Sequence, residues 1–324
     1  MNLAKKKRIN LSVRGEHVLE RGRWTIRAIV IAVSLVGVAG VGGAFAAAPV
    51  AAAPAPVAGA ANVAQAAPAV PAAPVAPPMP SGDDIVRACD NKIPGLDQQS
   101  QLSITLKEQS GTAKKTVYLR LWKDMKGADD IIDKMVLFTL FPPDAKGSGF
   151  MRWAYTAASA HNAEQWVYLP VLKSTRRVSM RDLGDSFLGS DLTYGDITYR
   201  TVEEDAHELV RIDRDDKGND FYVVQSVPKD KEPQYSHKLS WYSKTAVPEE
   251  CVKVRVDFYD RKNAFLKRQM LNWQRVGTAW VWDKVFVQNG QTFHTSYFEV
   301  SKVKINVGLK DDWFTQRRLE QGLN

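Results

Sequence analysis

After Gly95 the chain alternates apolar and polar side chains with a period of two, the spacing of strands that turn one face to a core and the other to water. Leu102, Ile104 and Leu106 alternate with polar residues, Gly111 turns the chain, and Val117, Leu119 and Leu121 alternate with Tyr118, Arg120 and Trp122. This pattern predicts a hairpin. The run from Met135 to Phe141 is apolar on both faces and stops at Pro142-Pro143, so it predicts a strand covered on both sides. Later runs at 209–214, 221–227, 251–259, 265–276, 279–287 and 292–305 are separated by turn residues, Asn289-Gly290 among them. Local connections of this kind build an antiparallel meander, and a long meander curls towards a barrel to limit its exposed edges.

The helical period is confined to two short places. Asp83 to Ala88 follows Ser81-Gly82, so Ser81 or Asp83 caps an opening helix with an acidic first turn. Asp311 to Gln321 has acidic residues first, arginines later and Trp313, Phe314 and Leu319 for packing, which predicts a closing helix. The expected class is therefore α+β, mainly β, in one domain over 83–324.

The front of the chain follows a different pattern. Eight Lys and Arg residues between Lys5 and Arg27 precede an uncharged run from Ala28 to Ala48, an n-region and h-region that predict export over residues 1–46, with Ala44-Phe45-Ala46 as the cleavage site. The competing reading is an uncleaved anchor, because the run is near the length of about 20 residues that spans a bilayer. Residues 47–82 are almost only Ala, Pro and Val, a disordered linker that reaches on the order of 100 Å when extended. The expected location is the periplasm, with an inner-membrane tether if the leader stays.

Charge narrows the function further. Of the formal +8, the leader carries +6 from eight basic and two acidic side chains. The body is nearly balanced and has no basic run with interleaved aromatics, which excludes a nucleic-acid partner. No cofactor motif is present, and the body's histidines, His161, His207, His237 and His294, lack metal-ligand spacing, so neither cofactor nor metal is expected. Cys89 and Cys251 are the only cysteines; in an oxidising compartment they either pair or stand as two buried thiols.

Candidate chemistry concentrates in 165–197, QWVYLPVLKSTRRVSMRDLGDSFLGSDLTYGDI. Gly184-Asp185-Ser186 has the look of an esterase nucleophile motif, yet no Asp-x-x-His follows near the end, and a serine without a positioned base is an ordinary turn residue. Asp191 and Asp196 invite comparison with a glycosidase pair, but arginines lie close in sequence. The expectation is that these aspartates, with Arg152, Arg176 or Arg177, pin a turn containing Gly189 and Tyr194 beside a cavity mouth. The aromatics suit either a dense core or an apolar cup.

Several ordered motifs resemble one family. Leu119-Arg120-Leu121-Trp122, Phe141-Pro142-Pro143-Asp144-Ala145-Lys146-Gly147-Ser148-Gly149-Phe150, Gln165-Trp166-Val167-Tyr168-Leu169-Pro170 and Asp185-Ser186-Phe187-Leu188-Gly189-Ser190-Asp191-Leu192-Thr193-Tyr194 are similar to the LolA-like outer membrane lipoprotein-sorting proteins. The resemblance covers most of the chain after Ser81. It implies an incomplete antiparallel barrel with short helices over its opening, a hydrophobic cavity, and non-enzymatic carriage of lipid or lipoprotein acyl chains between an inner-membrane transporter and the outer membrane. The branch resembled often accompanies resistance-nodulation-division (RND) type exporters, which implies such an exporter as partner, with a non-carrying accessory role as the alternative and a lipid esterase behind it. A monomer is expected. Phe150, Met151, Trp153, Trp166, Tyr168, Phe187 and Leu188 are the expected lining or gate of the cavity.

Overall fold

In the computed structural model, described for residues 79–323 apart from 91, 93–94, 160, 232 and 248–249, every strand belongs to one sheet. The leader and most of the linker lie outside the described residues. The strands are β1 (Asp97–Lys107), β2 (Ala113–Asp124), β3 (Ile131–Phe141), β4 (Gly149–Tyr155), β5 (Glu164–Leu169), β6 (Ser174–Arg177), β7 (Asp205–Arg214), β8 (Asp220–Pro228), β9 (His237–Ser243), β10 (Lys253–Tyr259), β11 (Phe265–Val276), β12 (Ala279–Asn289) and β13 (Thr295–Ile305). All neighbours are antiparallel, in the order β6-β5-β4-β3-β2-β1-β13-β12-β11-β10-β9-β8-β7. Two meanders, β1–β6 and β7–β13, are thus joined where β1 pairs with β13, and β6 and β7 remain as free edges.

The sheet curls, because side chains from strands far apart in its order share one core. Leu137 of β3, Phe150 of β4, Phe258 of β10 and Val287 of β12 belong to a single buried cluster on the concave face. The predicted double burial of β3 holds: Met135 and Leu137 join this cluster while Val136 and Phe138 bury on the convex face. Strand β9 escaped the sequence pattern for a physical reason. Its concave positions include Lys238 and Ser240, so the apolar alternation fails there.

Helices are short and sit on the sheet. The opening helix α1 (Gly82–Asp90) is capped by Ser81, whose Oγ accepts from the Asp84 N–H at 3.2 Å. It buries Ile85, Val86 and Cys89 against Val224 and Tyr242, and Cys89 is disulfide-bonded to Cys251. The closing segment is a 3-10 turn at Asp311–Phe314 followed by α2 (Gln316–Gln321), with Thr315 capping the break. Buried Asp97 turns the chain into it, accepting from the N–H groups of Val307, Gly308 and Leu309 at 2.7, 2.9 and 2.9 Å. No helix among the described residues is long and apolar enough to cross a membrane.

Candidate functional site

The chain between β6 and β7 folds over the concave face, and it contains the second half of the stretch that drew attention in the sequence. Ser179 and Asp182 form a capping box for a 3-10 turn at Met180–Gly184. Ser186 then bridges Thr193, closing a small loop whose tip is the 3-10 turn Phe187–Gly189. Within it Phe187 N–H donates to the Leu192 carbonyl at 2.7 Å and Ser190 Oγ donates to the Phe187 carbonyl at 2.6 Å. Phe187 and Leu192 insert into the concave core, Phe187 meeting Phe150 edge-on at 5.0 Å. Leu188 and Gly189 are both left-handed, with φ of +52° and +77°. For leucine that conformation costs about 1–2 kcal/mol.

Polar groups from both meanders hold this plug. From the first, Arg152 donates to the Ile197 carbonyl at 2.5 Å and Gln165 Nε2 donates to the Tyr194 carbonyl at 3.0 Å. From the second, Lys267 pairs with Asp196 at 2.5 Å and donates to the Asp191 carbonyl at 2.7 Å. The Lys267 and Asp196 side chains are each 3% exposed. Tyr235 Oη donates to Asp196 at 2.9 Å, and Ser296 Oγ and His294 Nδ1 lie 2.6 and 2.8 Å from the Asp191 carboxylate. Burial works to raise the pKa of Asp196, but the ammonium groups of Lys267 and Lys238 outweigh it and hold the carboxyl below its usual range.

The expected aspartate–arginine pairing is therefore corrected. Arg152 is ion-paired with Asp133, Arg176 with Asp182 at 2.8 Å and Arg177 with Glu164 at 2.5 Å. The curl brings β11 and β13 to the aspartates, so partners distant in sequence replace the nearby arginines. The signal for them was faint: Lys267 and Gln269 are buried polar side chains at inward positions of an alternating strand.

The seven expected lining residues are divided between the two faces. Phe150, Phe187 and Leu188 are on the concave side. Met151, Trp153, Trp166 and Tyr168 are on the convex side with Phe314 and Leu319. The pleat dictates the split, since Phe150 and Met151 are adjacent and Met151 faces Trp166 across β4 and β5. Trp166 and Tyr168 thus pack in the cluster that seats the closing segment, and Trp153, edge-on to Trp166 at 5.2 Å, donates its Nε1–H to the Phe314 carbonyl at 3.1 Å.

The concave face is packed. Phe150, Leu137 and Val287 are fully buried beneath the plug. A polar cavity of about 240 Å³ lies beside it, lined by Ser186, Asp191, Thr193, Tyr235, Lys267 and Asn289 among others. Ser186 Oγ has no base hydrogen-bonded to it among the described residues, and no group of side chains there has the make-up of a metal site.

Comparison with known proteins gives the arrangement a context. A model of a family of uncharacterized proteins matches residues 132–321. A search of curated proteins finds no match. Among solved structures, a domain described as an outer membrane lipoprotein-sorting protein from Vibrio parahaemolyticus is similar at 24% identity and a TM-score of 0.65, over 74% of this chain and 98% of that one. A DUF1329 family protein from Desulfovibrio piger is similar at 24% identity and a TM-score of 0.67, over 74% of this chain and 97% of that one. A LolA superfamily protein from Nitrosomonas europaea is similar at 17% identity and a TM-score of 0.55, over 74% and 99%.

Proposed function

Because the chain belongs to the family of uncharacterized proteins matched over residues 132–321 and has the LolA-like fold, we propose that it is a periplasmic carrier of lipid or lipoprotein acyl chains. The observation that carries the reading is the kind of cover on the concave face. An apolar surface built from eight strands is closed by a loop that buries only Phe187 and Leu192 fully, with Leu188, Tyr194 and Ile197 half-buried, a left-handed pair at its tip and polar latches at its flanks. Such a cover is displaceable. Each buried CH₂ of an acyl chain contributes about 0.8 kcal/mol, so roughly ten of them supply about 8 kcal/mol towards opening it.

No bond needs to be made or broken in this role. Cargo would pass between an inner-membrane transporter, proposed to be of the RND exporter type, and the outer membrane, with the carrier acting as a monomer. Native mass spectrometry of the protein recovered from a Gram-negative periplasm, followed by lipid extraction, tests it. Co-purified lipid is expected, lost on Phe187→Asp and kept on Trp166→Ala, since Trp166 serves the other face. Protein that is empty in cells with intact lipid traffic overturns the reading.

A further inference from the structure

One end of the sheet carries two apolar knobs in solvent. The antiparallel order places the β3–β4, β5–β6, β10–β11 and β12–β13 turns at the same end, and Lys267 and Ser296, which hold the plug, start their strands there. At the β5–β6 turn Val171 is 92% and Leu172 65% exposed, and Phe141 is exposed at the β3–β4 turn. The two turns abut: a Cβ on Gly147 would lie 3.2 Å from Pro170 Cγ. Across the opening Phe293 and Phe265 are exposed at the other two turns.

Charge surrounds these knobs. The four turns carry Lys146, Lys173, Arg261 and Lys262 against Asp144 and Asp260, and all four cations are exposed. At the most exposed tip the backbone is closed on itself, Leu172 N–H donating to the Leu169 carbonyl at 3.0 Å and Lys173 N–H to the Pro170 carbonyl at 3.1 Å, while Pro170 has no N–H. Such a tip enters a headgroup layer with few donors left unpaired.

We propose that this end docks on a bilayer surface containing anionic lipid, with Val171 and Leu172 entering the interface and the lysines contacting headgroups. Docking would set the plug and its latches against the membrane. It does not depend on whether the concave face carries cargo.

The test is hydrogen exchange of the full chain with vesicles of phosphatidylglycerol and phosphatidylcholine in equal parts, or of phosphatidylcholine alone. Exchange at 141–148 and 169–173 should slow with the anionic vesicles, and slow less with the neutral ones. A V171D/L172D double variant should lose at least ten-fold in vesicle affinity read at these turns, with its melting temperature unchanged. Lys146→Glu and Lys173→Glu should each lose roughly five-fold, and Val210→Asp, on exposed β7, nothing. The leader is common to all these chains and does not report at the turns. Protection that is absent there, equal on neutral vesicles, or untouched in V171D/L172D overturns the proposal. Lipid extracted from the same preparations is read separately, so a chain that holds lipid but does not dock leaves the carrier reading standing.

Discussion

The two faces of strands β3 to β5 are covered in different ways. On the convex side the closing segment buries Phe314 and Leu319 completely, adds Trp313, and is turned into place by Asp97. On the concave side the plug inserts Phe187 and Leu192, lays the half-buried Leu188, Tyr194 and Ile197 against the same core, and is held further by Lys267, Arg152, Gln165, Tyr235 and Ser296. Apolar burial is non-directional and is lost only by exposing area, whereas a buried ionic latch fails when either partner is replaced or the carboxylate is protonated. One cover is part of the folded core. The other has the properties of a lid.

The largest effect should come from attacking the permanent cover. Phe314→Ala removes a fully buried ring against Trp153 and the convex cluster, and changes of this kind cost about 3–5 kcal/mol. Denaturant unfolding should show a lower midpoint for the whole sheet, while on the proposed carrier reading the lipid bound per folded molecule stays the same. Loss of lipid in proportion to a selectively opened plug would break the distinction between the covers.

Removing the Lys267 ammonium should act on the plug alone. Lys267→Met leaves Asp196 buried without its ion-pair partner, a change worth about 3–5 kcal/mol when the structure is forced to stay closed. Here the loss is limited by letting 185–197 leave the sheet. Hydrogen exchange should therefore speed up roughly hundred-fold in the plug and little in β2 to β4, and adding Asp196→Asn should restore much of the protection. Acid attacks the same pair from the other partner. Asp196 is depressed in the folded state, so its contribution is complete above its unfolded value of about 4 and is lost as pH falls through the lower folded value. Plug protection should be level from pH 7 to about pH 5 and weaken below about pH 4. A plug already open at pH 6 would sink the latch.

How much of this was legible in the sequence follows from the same contrast. Period-two alternation found most of the strands, and the double apolar face of Met135 to Phe141 announced that β3 is covered twice. Period-two spacing within 165–169 puts Trp166 and Tyr168 on one face of β5 without saying which face. That depended on where the closing segment lies, a fact of the curl and of Asp97 rather than of local pattern. The latch partners were invisible for a related reason: Asp191 and Ser296 are 105 residues apart and Asp196 and Lys267 are 71 apart. Only the inward polar residues of β11, Lys267 and Gln269, hinted at them.

The smallest predicted effect separates the covers at two glycines. Gly189 has φ of +77°, and a Cβ there would sit 3.4 Å from Leu106 Cδ1, an ordinary contact. Gly189→Ala thus costs only the left-handed backbone, about 1 kcal/mol, in a tip where Leu188 is already left-handed. Gly149 has no such φ, but a Cβ there would meet Leu319 Cδ1 at 2.7 Å and the Leu137 carbonyl at 3.0 Å. Gly149→Ala must displace the buried Leu319 side chain that seats α2 on β4. Gly189→Ala should raise plug exchange about five-fold with the global melting temperature nearly constant, and Gly149→Ala should lower that temperature with plug exchange nearly constant. If both substitutions moved both readouts together, the plug and the closing segment would be one cooperative unit, and the concave cover would open only when the sheet unfolds.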